Sequence, residues 1–286
     1  MLKVIITIDC DFEGYFPFES KTNFDKKKFD KSLDYTIELI EKLKIHSHFL
    51  IHTSVYIRKF FDDIFYTSNY YINLWKMLYA KGHYIGLHPH EEDYSGKCYY
   101  YYFPEYMENV IRTHCEYLKN NDINPVSIRF GYFTITEWTI PILEKYGILL
   151  SFDNMGGYIS ETSNHFEEAP LKKYYYSYKD KEKSGDSKVL SIPLGMTETK
   201  RLWKGLIPEA NNFCDQKELI DELINISETK EHCVNLLIHS YNVPKNYEKI
   251  FETISYLKSR CEIIQLPIEL QKTREQHNLP SIFLSE

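Results

Sequence analysis

Residues 2–14 read LKVIITIDCDFEG, an apolar run of strand length that stops on two acids, Asp9 and Asp11. The run shows little alternation of polar and apolar residues, the pattern of a strand covered on both faces. In an extended chain, residues two apart project to the same side. Asp9 and Asp11 therefore leave the strand end together while Cys10 faces away. Two carboxylates that close repel each other unless a cation or a guanidinium compensates them. A buried strand that ends in paired acids is what a helix-covered parallel sheet presents at the carboxyl ends of its strands, the face on which such folds build their sites.

The rest of the chain repeats the pattern. HFLIH, HYIGLH, VSIRF, ILLSFD, KVLSIPL, VNLLIHSY and CEIIQL are further short apolar runs bounded by polar or turn residues. Between them lie stretches of helical period. Phe29, Leu33, Ile37, Ile40 and Leu43 form one stripe; Met107, Val110, Ile111 and Leu118 form another, with Pro104 suited to an early helical position. Asp215 and Glu218 read as a capping box ahead of Leu219, Leu223 and Ile226, and Tyr247, Ile250, Ile254 and Leu257 mark one more helix. Strand and helix alternate, which predicts a wound parallel sheet, open or closed into a barrel. Residues 154–187 break the rhythm and read as a long insertion, partly hairpin. No linker and no internal repeat divides the chain, so residues 1–286 are expected to form one domain.

Composition narrows the function classes. The chain has 286 residues, 43% of them hydrophobic, enough for a large core, and its formal charge of -7 provides no basic field for nucleic acid. No apolar stretch approaches the roughly 20 residues of a membrane helix, and the N-terminus lacks the pattern of a secretory signal. The six cysteines form no CxxC pair, which points to a reducing, cytoplasmic setting. No GxGxxG, P-loop or GxSxG occurs, against dinucleotide, nucleotide-triphosphate and serine-hydrolase readings. Tyrosine is abundant, 25 residues, and clusters in CYYYYFPEYM and KKYYYSYKD; packing is the expected role, ahead of sugar-stacking platforms.

Polar residues that close the apolar runs are the site candidates: Asp9, Asp11, His88, His90, Arg129, Asp153 and His239. Pro89 holds HPH extended, so that both imidazoles can reach one ion; with one of the aspartates they make a two-histidine, one-carboxylate set with positions left for water. His46, His48, His52, His114, His165, His232 and His277 are read as structural.

As an ordered set, TIDCD, YIGLHPH, SIRFGYF, SFDN and LLIHS resemble the motifs of the polysaccharide deacetylases of the NodB-homology type, carbohydrate esterase family 4. The resemblance spans residues 7–240 and implies a distorted α/β barrel of about seven strands, with helices outside the sheet. It implies Asp9 as general base, Asp11 and His88 as metal ligands, Arg129 as partner of the base, and Tyr132 as a backbone donor to the oxyanion. It further implies His239 as proton donor to the leaving amine and Asp153 as an orienter of charged side chains. The family spaces its histidines four apart, and here Glu92 stands at that position, so His90 is taken as the second imidazole ligand ahead of Glu92. Gly131 replaces a proline of the family pattern, which loosens the loop that carries Tyr132. The implied cofactor is a divalent metal, zinc first, with cobalt, nickel or iron admitted. The expected activity is removal of an N-acetyl or related acyl group from an amino sugar or oligosaccharide, with a surface-polysaccharide precursor favoured by the absence of an export signal. The alternatives are a C–N hydrolase acting on a small cyclic amide or ureide, and a catalytically silent saccharide-binding protein.

Overall fold

A computed structural model of the chain describes residues 1–13, 25–55, 57, 61–91, 100–157, 166–197, 205–229 and 232–265. The opening run forms β1 (Lys3–Cys10), buried from Val4 to its end. Beside it lie β2 (His48–Ser54) and β3 (Tyr84–His90), then the short strands β4 (Ser127–Ile128) and β5 (Leu150–Ser151). The parallel series continues to β7 (Leu190–Ser191), while β8 (Cys233–His239) flanks β1 on its other side. The series closes on itself. Asn235 of β8 meets Leu194, just past β7, and its N–H donates to the Pro193 carbonyl at 2.8 Å. The order β8-β1-β2-β3-β4-β5-β7 is therefore a barrel of seven strands, distorted because three of them are two residues long.

The insertion contributes β6 (Tyr174–Tyr175), antiparallel to β7, with a further antiparallel bridge from Tyr176 to Ser184: a hairpin, as the sequence suggests. The run CEIIQL gives β9 (Glu262–Ile263), which pairs with Lys3 and Val4 below the point where β2 takes over at Thr7.

Helices cover the outside. α1 (Lys26–Leu43) starts on Asp25, whose carboxylate accepts from the Lys27 and Lys28 N–H groups, and buries Phe29, Leu33, Leu39, Ile40 and Leu43. Two short helices follow β2, α2 (Tyr66–Tyr70) and α3 (Ile72–Ala80). α4 (Pro104–Lys119) buries Met107, Val110, Ile111 and Leu118, as their spacing requires. α5 is Thr139–Tyr146, α6 Phe213–Thr229, and α7 (Val243–Arg260) packs on α1. The capping box of α6 lies one turn earlier than expected. Asn212 accepts from the Asp215 N–H at 2.9 Å and its amide donates to the Asp215 carboxylate, because an asparagine with the same capping chemistry precedes the acid. No helix among the described residues is long and apolar enough to cross a membrane.

Gly86, in the middle of β3, is held to a hydrogen side chain by its neighbours. A Cβ there would stand 2.6 Å from both Leu50 Cδ2 and the Ser127 carbonyl oxygen, and closer still to the Ser127 hydroxyl. Because one obstacle is backbone, Gly86→Ala is expected to destabilise the chain by about 1–3 kcal/mol, measured by urea denaturation.

Candidate metal centre

Four neighbouring parallel strands, β8, β1, β2 and β3, end near one level, and their register composes the site. Asp9 stands opposite Leu50 of β2 and His239 of β8, while His52 stands opposite His88 and Ser54 opposite His90. One step beyond Cys10, which faces Ile51, Asp11 reaches the level of His52. The alternation rule holds: Asp9 and Asp11 share the barrel mouth, and Cys10 is buried.

Asp11 is the hub. Its Oδ1 lies 2.7 Å from His52 Nδ1, 3.3 Å from His88 Nε2 and 3.9 Å from His90 Nε2, and the two Nε2 atoms are 3.0 Å apart. All four side chains are buried. His88 Nδ1 is 2.7 Å from the Arg129 carbonyl, which can only accept. The Nδ1 proton is thereby assigned, and in neutral His88 the lone pair of Nε2 points into the cluster. Burial alone would lower the His88 imidazole, yet Asp9 and Asp11 outweigh it and raise it to about 9. The converse holds for Asp11: burial pushes its carboxyl up, and the three imidazoles pull it well below the usual carboxylate range. Burial dominates at His52, lowered to about 4.

These residues suit a divalent ion. Ligand atoms at about 2.1 Å from a common ion stand about 3.0 Å apart at a right angle and about 3.4 Å apart at a tetrahedral one. The His88–His90 and His88–Asp11 separations of 3.0 and 3.3 Å fall at those values.

Arg129 fills the barrel beneath. Its Nη1 donates to Asp9 Oδ1 at 2.6 Å, its Nη2 to Thr7 Oγ1 and Asn235 Oδ1 at 2.8 and 2.7 Å, and its Nε to the Phe152 carbonyl at 3.1 Å. The guanidinium thus ties β1, β8 and the end of β5 together while compensating Asp9. Asp9 Oδ2 lies 3.6 Å from His88 Nε2.

Asp153 is held by one backbone N–H and one hydroxyl, within the fields of Arg129 and His88. Its oxygens accept from the Phe130 N–H at 2.8 Å and the Ser151 hydroxyl at 2.7 Å; burial raises its carboxyl to about 7 against those bonds. The Phe130 bond anchors the turn at Gly131–Phe133, in which Tyr132 and Phe133 hold φ of 50° and 57°. Left-handed conformations of this kind cost non-glycine residues about 1–3 kcal/mol each and persist only when their surroundings impose them. The Phe133 N–H to Phe130 carbonyl bond and the Thr134 N–H to Gly131 carbonyl bond pin the loop that Gly131 was expected to loosen. The Tyr132 ring stands edge-on to His90, centroids 5.9 Å apart.

His239 is partly exposed at the mouth. Glu209 Oε1 takes its backbone N–H at 2.9 Å and its Nδ1 at 2.8 Å. Burial lowers His239, but the hydrogen bond and charge of Glu209, with the fields of Asp9 and Asp11, raise it overall above an ordinary imidazole. Asp9, Asp11 and His239 can also place ligand atoms within 4.8 Å of one another.

Two members of the site escaped sequence reading. His52 was read as structural although it closes HFLIH as His88 closes HYIGLH; the strand-end rule applied evenly would have found it. Glu209 follows no apolar run and carries no motif. Glu92 lies outside the described residues, as do His165 and His277. Of the tyrosines, Tyr101 is buried and ties the HPH strand end, donating to the Pro89 carbonyl and accepting from the Glu91 N–H. Tyr174 and Tyr176 are buried as well, the packing role expected of them.

Fold and site together define an α/β barrel whose mouth carries a buried cluster of acids and imidazoles. The fold is the one seen in polysaccharide deacetylases. A protein from Mycobacterium smegmatis described as a polysaccharide deacetylase superposes with a TM-score of 0.63 at 13% identity, covering 100% of this chain and 94% of its own. A Pseudomonas aeruginosa protein of the same description gives 0.58 at 12%, over 98% and 93%. An allantoinase, Puue, matches with 0.63 at 13%, over 98% and 92%. No family model and no curated protein matches the chain.

Proposed function

We propose that this chain is a metal-dependent hydrolase of the polysaccharide-deacetylase type, formed by one domain over residues 1–286, that removes an N-acetyl or similar acyl group from an amino sugar. The observation that carries the reading is the convergence of Asp11, His88 and His90 on one point of the barrel mouth, with Asp9 and His239 beside it. Asp11, His88 and His90 would hold the ion: zinc, cobalt, nickel or iron by donor chemistry. When bound, such an ion supplies Lewis acidity, polarising a carbonyl and bringing the pKa of water towards neutrality.

The chain's own residues do the rest. Asp9 keeps one oxygen on Arg129 and presents the other towards the His88 side, placed to take a proton from the attacking water. The Gly131–Phe133 turn offers the Tyr132 N–H to the oxyanion, a fixed dipole that needs no reorganisation. His239, raised above an ordinary imidazole mainly by Glu209, is placed to pass a proton to the departing amine. Water and amide become acetate and a free amino sugar.

The cyclic-ureide alternative keeps its place because the allantoinase fold matches as well as that of either deacetylase. Of the tyrosine clusters, Tyr101, Tyr174 and Tyr176 are buried and offer no stacking face, whereas Tyr102 and Tyr178 are exposed. An assay of the Co2+- or Zn2+-loaded protein separates the readings. Acetate released from N-acetylglucosamine oligomers or a nucleotide-linked N-acetyl sugar supports the proposal; ring opening of a cyclic ureide without acetate release replaces it. Protein that purifies without metal, stays inactive when Co2+ or Zn2+ is added, and still binds saccharide would identify a binding protein.

Two further outcomes are expected. Asp11→Ala should lose the metal to background in elemental analysis, because the carboxylate oxygen shared by the imidazoles is gone. For the proton donor, turnover falls as pH rises through the His239 pKa, so the alkaline limb of kcat should lie above the ordinary imidazole value. Glu209→Gln removes the main support of that elevation and should move the limb to lower pH, read from the pH–rate profile.

A further inference from the structure

We infer that His52 is a third imidazole ligand of this centre, supplied by β2 in place of the histidine that the family spacing would put at position 92; the inference rests on the metal-centre reading above. Register is the first support. β1, β2 and β3 run parallel side by side: the β2–β3 pairing sets His52 opposite His88, and the β1–β2 pairing, one step past Cys10 and Ile51, brings Asp11 to the level of His52. Three consecutive strands thus deliver Asp11, His52 and His88 in one row, with His90 two residues beyond His88.

Distance is the second. His52 Nδ1 approaches Asp11 Oδ1, the same oxygen that faces His88 and His90, and one ligand atom from each of the four residues lies within 4.8 Å of the others. The separations of 3.0, 3.3 and 3.9 Å lie within what an ion with ligands at about 2.1 Å imposes, from about 3.0 Å for neighbours to about 4.2 Å for opposed ligands, and the 2.7 Å between His52 and Asp11 would open by a few tenths of an ångström around an ion. Packing is the third. The ring is fully buried, edge-on to Phe12 and stacked on His90, each at 4.9 Å between centroids, and the Thr67 hydroxyl donates to the His52 carbonyl.

A consequence follows for the ion. Three imidazoles and one carboxylate occupy four positions, the full complement of tetrahedral zinc. A hydrolytic centre keeps a place for water, so an ion held by all four residues would need at least a fifth position, which cobalt, nickel and iron take up more readily than zinc.

The competing role is that His52 donates its Nδ1 proton to Asp11 and never touches the ion. His52→Asn separates the two, since its amide keeps a donor near the Nδ1 position but removes the imidazole. With Co2+ as the probe, X-ray absorption at the metal edge should count three imidazoles in the wild type and two in His52→Asn. Competition with a chelator should show affinity weakened by more than ~100-fold, beyond the ~10–100-fold typical of an outer-sphere partner. Two imidazoles in the wild type, or a variant whose affinity stays within tenfold, overturns the assignment while leaving the metal centre standing. The wild-type count decides the matter even if His52→Asn does not fold. A wild type that binds no Co2+ at all overturns the metal-centre reading, and His52 as ligand with it.

Discussion

Asp9→Asn should abolish turnover while leaving the metal content unchanged. The substitution keeps the shape of the side chain and an oxygen for Arg129, but the group can no longer take a proton. Loss of a positioned general base costs about 10²–10⁴-fold in rate. The ion should stay because Asp11, His88 and His90 keep their mutual separations of 3.0 to 3.9 Å without help from Asp9. Arg129 retains Thr7, Asn235 and the Phe152 carbonyl, so the variant should still fold. Elemental analysis and single-turnover rates on one preparation test both halves. Surviving activity removes Asp9 from the mechanism, and metal lost together with activity makes Asp9 a ligand.

The second large effect is on stability. Arg129→Leu, studied with chelator present, should cost about 3–5 kcal/mol by urea denaturation, because it strands Asp9 as a buried charge with its compensating cation removed. Both side chains are almost wholly buried, at 1% and 2% exposure, so solvent cannot take over the guanidinium's role. The same change strips hydrogen bonds from Thr7, Asn235 and the Phe152 carbonyl, which sit on three different parts of the barrel. Arg129→Lys should recover only part of the loss, since an ammonium restores the charge but cannot span those partners as a fork does. A loss below about 1 kcal/mol for Arg129→Leu would falsify the view that this ion pair braces the barrel.

Much of the fold was legible because burial on two faces leaves a plain mark: every apolar run named from sequence overlaps a strand of the sheet, and the stripes at Phe29, Met107 and Tyr247 are helices. The misplaced cap of α6 shows where such reading weakens. Asn212 and Asp215 have nearly the same capping chemistry, and only the packing of the helix chooses which residue begins it. At the candidate site, strand-end logic singled out Asp9, Asp11, His88, His90, Arg129, Asp153 and His239, since polar residues that close a buried strand must emerge at one face. His52 obeyed the same rule and was passed over for lack of a motif around it. Glu209 obeyed none: it reaches His239 from a connection whose path depends on the whole barrel.

What the sequence determined by itself is which residues end the strands, because a two-residue period and continuous apolarity are properties of the local chain. Register is different. A slip of one residue between β1 and β2 leaves both runs equally apolar, so no local pattern states that Asp11 meets His52 and that His52 faces His88. Only the closed barrel decided that, through the packing of side chains between adjacent strands and through Arg129, whose one guanidinium must satisfy Thr7, Asp9, Asn235 and the Phe152 carbonyl at once.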